Sequence, residues 1–496
     1  MCWRRSTTTP CSPTSTYRRP RLGGGGSDAA TTGISANRIS NMANTIVFTS
    51  DQRRAVEAHR DALARGENWF LYQGPAGCGK TTLARHAAAE LLPPPTLFTA
   101  PTNAATNVLR QALNGSAQHC MTIHSALGLR PVEDGSGETR LVRAGASKLP
   151  LFRSLVLDEV SQVGRDLRSW IDGSVPPGMP VLCLGDPYQL PPVNEAASPY
   201  WKEITAQYRL REIVRQAADN PIHTISQLLV RQQDVLRIDT DWAAPGGEDH
   251  APYAGAGSKG VFSTSYQGML AAFRSEAFRA DAGAYRVLSY TNARVQRFNR
   301  LIRDAVLGKT ASPFVVGERV INRTPLGVLD NHDELQIAVP INSELRVLEI
   351  AEDVCVLELG GPSYRTSRGH PAETVRIRGW RVALGLVGDG LVIECHVASR
   401  PGLREAMLAR CVERRRFVDR RRIAAAFPDL RNAYATTVHS AQGMTIGNAA
   451  FVDVDDIARQ RHRDDILLRL QLLYVAATRP REALVRTPAL GEPMDI

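Results

Sequence analysis

Three short runs of residues in this 496-residue chain have the types and spacing to handle a polyphosphate. The first is Gly74, Pro75, Ala76, Gly77, Cys78, Gly79, Lys80 and Thr81, with Thr82 behind it. Glycines in such a run let backbone N–H groups curl around phosphate oxygens, and a helix opening at the lysine adds a favourable dipole. Lys80 is then placed to reach the terminal phosphates, and the Thr81 hydroxyl to ligate magnesium. The second run is an apolar strand, Ser154 to Leu157, that ends in Asp158 and Glu159. Asp158 would hold the metal and Glu159 would orient or deprotonate an attacking water. An acidic pair at a strand end is often merely solvated. Downstream of a phosphate loop it points instead to hydrolysis of the bound nucleotide. The third run, Gly185, Asp186, Pro187, Tyr188, Gln189 and Leu190, follows another apolar strand, where Gln189 can sense a terminal phosphate.

These runs need strand ends and helix starts to hold them, and the flanking sequence supplies both. Gln52 to Ala64 reads as a helix and Trp69 to Gln73 as a short buried strand. Thr81 to Leu92 is an Ala/Leu-rich helix, and Leu97 to Ala100 a strand followed by a helix through Leu113. With Ser154 to Leu157 and Val181 to Leu184 as further strands, the alternation predicts an α/β unit with a parallel sheet. Leu129 to Val142 reads as strand, turn, strand, a β-hairpin inserted into that unit. A second alternation begins with the strand Val287 to Tyr290 and the helix Ala293 to Val306, stops, and resumes from Tyr434 to Val485. The interruption is Val/Ile-rich with period-2 stretches, then helical from about Arg404 to Ala426, which predicts an inserted β module.

Composition narrows the class. With 43% hydrophobic and 22% charged residues, the chain can bury ordinary cores and is neither a disulfide-stapled scaffold nor mainly disordered. No apolar run reaches about 18 residues, so no transmembrane helix is expected. The eight cysteines never form Cys-x-x-Cys, which argues against a zinc ribbon. The net charge of +10 is concentrated in residues 1–44 and 402–432, at +5 each. Residues 1–44 read as a disordered basic tail. The second segment, with Arg414, Arg415, Arg416, Arg420, Arg421 and Arg422, is either a solvated helix or a localised phosphate-binding surface.

Taken in order, Gln52, the loop 74–81, Ala100 to Asn103, Thr122 to His124, Asp158 with Glu159, and Gly185 to Gln189 resemble the first motor domain of superfamily 1 helicases. Arg215 and Gln216 with Asn220 to Ile222, Tyr290 to Asn292, Thr436 to Thr445, and Leu473 to Arg479 resemble the motifs of the second. The wording is most similar to the RecD/Dda branch (1B), and the likeness covers roughly residues 45–310 and 430–486. It implies an α/β protein of two RecA-like P-loop NTPase domains with ATP and magnesium in the cleft between them. Gln52 would read adenine, and Arg215 and Arg479 would reach the γ-phosphate from the second domain. Gln442 and Gly443 would link the cleft to the nucleic-acid path. Pro101, Thr102, Thr122, His124, Thr291, Asn292, Thr437 and His439 are the matching strand contacts, of a kind that positions a backbone without reading sequence.

The same resemblance divides the chain into a first RecA-like domain at 45–209 with a hairpin insertion at 128–150, a second at 210–310 and 431–496, and an SH3-like and helical-tower insertion at 311–430. Ser343 departs from the family's Asn-Gly turn there, which leaves the local turn geometry open. The implied activity is ATP-driven 5′-to-3′ movement on single-stranded DNA that unwinds duplexes at single-strand/duplex junctions, in replication, recombination or repair. A monomer of the bacterial or phage-host cytoplasm is expected, working beside single-strand-binding or replication proteins. A translocase that strips proteins from single strands, or serves as a motor subunit of a recombination complex, is the alternative.

Overall fold

The computed structural model describes residues 48–113, 119–133, 139–212, 220–236, 251–331, 333, 335–363, 366–387, 390–458 and 465–487. Residues 1–44 and Arg215 with Gln216 lie outside that set.

The first lobe opens with α1 (Ser50–Ala64), whose start is fixed by a reciprocal cap. Thr49 Oγ1 accepts from the Gln52 N–H at 3.3 Å, and Gln52 Oε1 accepts from the Thr49 N–H at 3.1 Å. Then come β1 (Trp69–Gln73), α2 (Lys80–Glu90), β2 (Thr96–Ala100), α3 (Asn103–Ala112), β3 (Cys120–Thr122) and α4 (Ile123–Ala126). A hairpin of β4 (Leu129–Glu133) and β5 (Thr139–Arg143) interrupts the alternation. The lobe closes with β6 (Ser154–Leu157), α5 (Arg165–Asp172), β7 (Val181–Gly185), α6 (Tyr200–Glu203) and β8 (Gln207–Arg209). Its sheet runs β3-β2-β6-β7-β1-β8 with every pair parallel. β2, β6 and β7 are buried at every position, because helices cover both faces of a parallel sheet.

The second lobe contains α7 (Ile222–Val235), β9 (Gly260–Ser263), α8 (Tyr266–Arg274), α9 (Glu276–Ala280), β10 (Tyr285–Ser289) and α10 (Asn292–Leu307). An insertion then interrupts the lobe, which resumes at Ala435. Within the insertion are β11 (Arg319–Asn322), β12 (Leu326–Leu329), β13 (Leu335–Val339), β14 (Glu344–Ser363), β15 (Thr366–Leu386) and β16 (Val392–Ala398). Two helices, α11 (Leu403–Glu413) and α12 (Phe417–Ala426), and β17 (Leu430–Asn432) complete it. The resumed lobe comprises β18 (Ala435–Thr437), α13 (Val438–Ala441), β19 (Ala449–Val452), α14 (Val454–Ala458), α15 (Ile466–Ala477) and β20 (Ala483–Arg486). Its sheet, β18-β10-β19-β20-β9, is again wholly parallel. This lobe therefore starts well before the strand at Val287 where the sequence pattern first shows it. β9 is an edge strand buried fully only at Gly260, too weakly patterned to stand out.

The insertion is an antiparallel sheet, β16-β15-β14-β11-β17, beside the ribbon β12-β13. Two features differ from the sequence reading. The helical stretch is broken, with Arg415 at φ 53° between α11 and α12. The basic run is also partly consumed inside the module: Arg416 pairs with Asp419 and Glu373, and Arg422 makes a two-pronged pair with Asp333 at 2.7 and 2.9 Å. Arg414 and Arg415 stay exposed. The turn in question closes without a glycine: Asn342 takes the left-handed conformation at φ 58°, and the Ser343 N–H donates to Asn322 Oδ1 at 2.8 Å.

Candidate active site

In the first sheet β7 lies between β1 and β6, so the segments leaving the carboxyl ends of these three strands converge. That topology gathers the loop 74–79, the pair Asp158 and Glu159, and Asp186 with Gln189 at one rim. The loop bends through Gly77 at φ 88° and Gly79 at φ 84°, values a side chain opposes. A Cβ on Gly79 would also run into the Gln52 amide. Gln52 is thus a brace of the loop: its Nε2 donates to the Cys78 carbonyl at 3.1 Å while its Oε1 serves the α1 cap. That leaves one N–H of the amide beyond these two contacts.

Lys80 Nζ donates to the Gly74 and Pro75 carbonyls at 2.7 and 2.9 Å. Burial pulls the Lys80 pKa down, but the Cys78 sulfur and the Asp186, Glu159 and Asp158 carboxylates outweigh it, so the amine stays charged. Thr81 and Thr82 follow in the first turn of α2. The Asp158 N–H donates to the Thr99 carbonyl at 2.8 Å, and the Glu159 N–H donates to Asp158 Oδ1 at 2.8 Å. Glu159 adopts φ 54°, a left-handed conformation that a non-glycine residue holds only under constraint. Withdrawal from water raises both carboxyl pKa values, and for Glu159 the Asp158 charge raises it further against the pull of Arg479 and Lys80. A carboxyl poised upward in this way suits a base that receives a proton. For magnesium, Thr81 and Asp158 offer the hard oxygen donors such an ion takes beside phosphates and water. Among the described residues no group of three or more His, Cys, Asp or Glu side chains could hold a metal.

The second lobe supplies the opposite wall. Arg479 is 7% exposed, and its guanidinium donates to the carbonyls of Val475 at 3.1 Å and Met444 at 3.3 Å and to Thr478 Oγ1 at 2.9 Å. Arg215 lies outside the described residues; at Arg211 and Glu212, Asp51 accepts from the two N–H groups at 2.8 and 3.1 Å. A cavity of about 290 Å³ between the lobes is lined by Pro75, Ala76, Arg211, Ile222, His223, Gln227, Tyr474 and Thr478.

A chain of buried polar groups crosses the seam. Gln442 Nε2 donates to Gln189 Oε1 at 3.1 Å, and Gln189 Nε2 approaches Asp186 Oδ2 at 3.5 Å. The Tyr474 hydroxyl donates to the same Asp186 Oδ2 at 2.8 Å and accepts from the Ala76 N–H at 2.8 Å. Around it, Tyr188 and Leu190 leave the first lobe to join the second lobe's apolar core with Leu473, Tyr474 and Val438. Gly443, expected to link the cleft to the nucleic-acid path, packs on Ala105 at the start of α3. Its φ of 78° and the 3.1 Å that a Cβ would have to Ala105 both call for glycine. Sequence reasoning missed Tyr474, which sits in an apolar helix and reads as core.

The residues expected from the sequence to contact a nucleic-acid strand lie at the ends of two matching pairs of β-strands. β2 and β3 are neighbours in one sheet, β10 and β18 in the other, and each pair ends in threonines that cap the helices that follow. Thr102, Thr122, Thr291 and Thr437 accept from the N–H groups of Ala105, Ser125, Arg294 and Ser440 at 3.2, 3.2, 3.3 and 3.2 Å. In the second lobe the hydroxyl hydrogens are committed too, Thr437 to Ser440 Oγ at 3.0 Å and Thr291 to Asp456 at 3.1 Å. The His124 ring is tied to the Pro101 carbonyl, and burial holds its pKa below the ordinary value. Asn292 and His439 are exposed, the latter with its ring 5.8 Å from Tyr290. Asn103 Nδ2 donates to the Ile341 carbonyl at 3.3 Å and joins the first lobe to the inserted module.

Two parallel-sheet lobes closing on a phosphate loop, an acidic pair and a second-lobe arginine define a P-loop NTPase motor of the RecA-like type. Residues 47–241 match the AAA domain family model, and residues 432–485 match the UvrD-like helicase C-terminal domain. The chain is 26% identical to the ATP-dependent DNA helicase dda of Enterobacteria phage T4 over 461 residues, 88% of this chain and 98% of the relative. It is 34% identical to the ATP-dependent RecD2 DNA helicase of Deinococcus radiodurans over 166 residues, 33% of this chain and 21% of the relative. Among solved structures, Bacteroides Pif1 bound to ssDNA aligns at TM-score 0.45 and 16% identity over 89% of this chain and 92% of that one. Over most of its length the chain is thus similar to ATP-dependent DNA helicases of superfamily 1 (1B), in the RecD/Dda branch. Among the described residues no helix is long and apolar enough to cross a membrane.

Proposed function

We infer that the protein is an ATP-dependent DNA helicase, an enzyme that hydrolyses ATP at the seam of its two lobes and uses the closure to move along and unwind DNA. The observation that carries this reading is the seam: Tyr474 and Gln442 of the second lobe hydrogen-bond Ala76, Asp186 and Gln189 beside the phosphate loop, with Arg479 buried just beyond the end of the helix that carries Tyr474. An arginine so placed stabilises charge on the transferring phosphoryl group only when the lobes are together, which ties hydrolysis to closure. Lys80 neutralises phosphate charge, Glu159 takes the proton of the attacking water, and Gln189 with Gln442 relays the state of the cleft toward Gly443 and α3. Magnesium, held by Thr81 and Asp158, would supply Lewis-acid stabilisation of the phosphate oxygens.

The finer assignments rest on the branch. The strand runs past Pro101, Thr102, Thr122 and His124 in one lobe and Thr291, Asn292, Thr437 and His439 in the other, held by backbone N–H groups, side-chain amides and imidazoles. Movement is 5′-to-3′ on single-stranded DNA toward a junction. Residues 45–209, and 210–310 with 431–496, are the two motor domains, with the hairpin and the 311–430 module as accessory parts. The test is Lys80→Ala, assayed by phosphate release with and without single-stranded DNA. Turnover is lost in both while the melting profile stays that of the parent; undiminished turnover would overturn the site assignment.

A further inference from the structure

The Tyr474 hydroxyl sits where the two lobes touch closest to the phosphate loop. The side chain is 1% exposed on α15, and its ring packs edge-on against Tyr188 at 6.1 Å between centroids. Neither contact calls for a hydroxyl, since a phenylalanine would pack as well. A buried hydroxyl needs partners, and these two belong to separate parts of the first lobe. Asp186, itself fully buried, accepts a hydrogen bond from the Tyr474 hydroxyl on Oδ2 at 2.8 Å and one from the Tyr188 N–H on Oδ1 at 3.0 Å. With the proton fixed toward the carboxylate, an oxygen lone pair is turned to the Ala76 N–H. The loop is thus held by a second-lobe side chain whose orientation is set by the same aspartate that Gln189 approaches.

We propose that Tyr474 is a positioning residue of the ATPase, whose hydroxyl passes closure of the second lobe to the phosphate loop through Ala76 and Asp186. This rests on the motor reading above and deepens it, naming the contact by which an engaged strand alters the loop. The geometry makes the link conditional. When the lobes separate, α15 withdraws and the Ala76 N–H and Asp186 Oδ2 lose this partner together. When they close, loop and aspartate are clamped at once. The Gln189–Gln442 contact then extends the clamp to the segment that packs against α3, where the strand path begins.

The experiment compares Tyr474→Phe with the parent chain in steady-state phosphate release, with and without single-stranded oligonucleotide and across ATP concentrations. The ring is retained, so packing is preserved while the hydroxyl is lost. The expected result is a roughly tenfold or greater fall in the ratio of strand-stimulated to strand-free kcat, with the KM for ATP moving much less. A merely structural role lowers both rates together and leaves the ratio unchanged, and that result overturns the proposal. Asp186→Asn is the second variant, measured in the same way. It lowers the ratio to a similar extent, and combining it with Tyr474→Phe adds little. Independent, multiplying losses would also overturn the proposal. The parent chain separates the two levels: without strand stimulation in the parent, the motor reading itself fails. A stimulated parent with an equally stimulated Tyr474→Phe refutes the tyrosine's role alone.

Discussion

Removing the Gln442 amide should uncouple ATP turnover from the strand. Gln442 and Gln189 are 7% and 5% exposed, and their one direct contact is the 3.1 Å hydrogen bond across the seam. Gln442→Ala loses that bond and leaves the buried Gln189 carbonyl oxygen without its donor. A net hydrogen bond is worth about 1 kcal/mol, and a stranded buried polar group costs about 1–3 kcal/mol. If about 2 kcal/mol of this is felt when the closed, strand-bound state forms, strand-stimulated kcat falls roughly 30-fold. The assay is phosphate release over an oligonucleotide titration, for the parent, Gln442→Ala, Gln189→Ala and the double variant. Because both substitutions delete the same contact, the double variant should fall little below the worse single, a coupling of about 1–2 kcal/mol. Losses that multiply, or a stimulation ratio unchanged in all three variants, would refute the idea that this pair carries the signal.

Further outcomes follow from groups away from the cleft. His59, 1% exposed, stacked on Phe70 at 4.6 Å and 3.2 Å from the Tyr72 hydroxyl, has its pKa lowered to about 4 by burial. The unfolded chain therefore binds a proton below its ordinary value of about 6.5 that the folded chain refuses until about 4, and stability falls with pH across that window. The loss at pH 5 is about 2 kcal/mol, and His59→Phe should show a shallower fall in melting temperature between pH 7.5 and pH 5; an equal fall would assign the effect elsewhere. At the turn between α11 and α12, Arg414 and Arg415 are exposed while Arg416 is spent on Asp419 and Glu373. Arg414→Ala with Arg415→Ala should reduce the salt slope of single-strand affinity by about 1.4, and an unaltered slope would return that turn to plain solvent exposure.

The phosphate loop, the acidic pair and the Asp186 to Gln189 run were legible because each is a local pattern whose chemistry fixes its spacing. β1 (Trp69–Gln73) and β6 (Ser154–Leu157) have the bounds the pattern gave, since continuous apolar runs mark fully buried parallel strands. What was hidden depends on distant partners. Tyr474 looks like core until Ala76 and Asp186, some 398 and 288 residues away in sequence, meet its hydroxyl. The basic run looks uniform until Asp333 and Glu373 single out Arg422 and Arg416. The second lobe's early edge was obscured because β9 borders the sheet and lacks the two-sided burial that makes a strand conspicuous. Threonines marked for strand contact cap helices, a role that residue type alone does not reveal.

The central claim is that ATP hydrolysis between two lobes drives the chain along one strand and into a duplex. Its most direct test is strand separation of duplexes bearing a 5′ or a 3′ single-stranded tail, with magnesium and ATP, for the parent and Arg479→Ala. The parent is expected to separate the 5′-tailed duplex in an ATP-dependent way, and Arg479→Ala to separate neither duplex. Separation by Arg479→Ala at the parent's rate, or by the parent with neither tail, would contradict it.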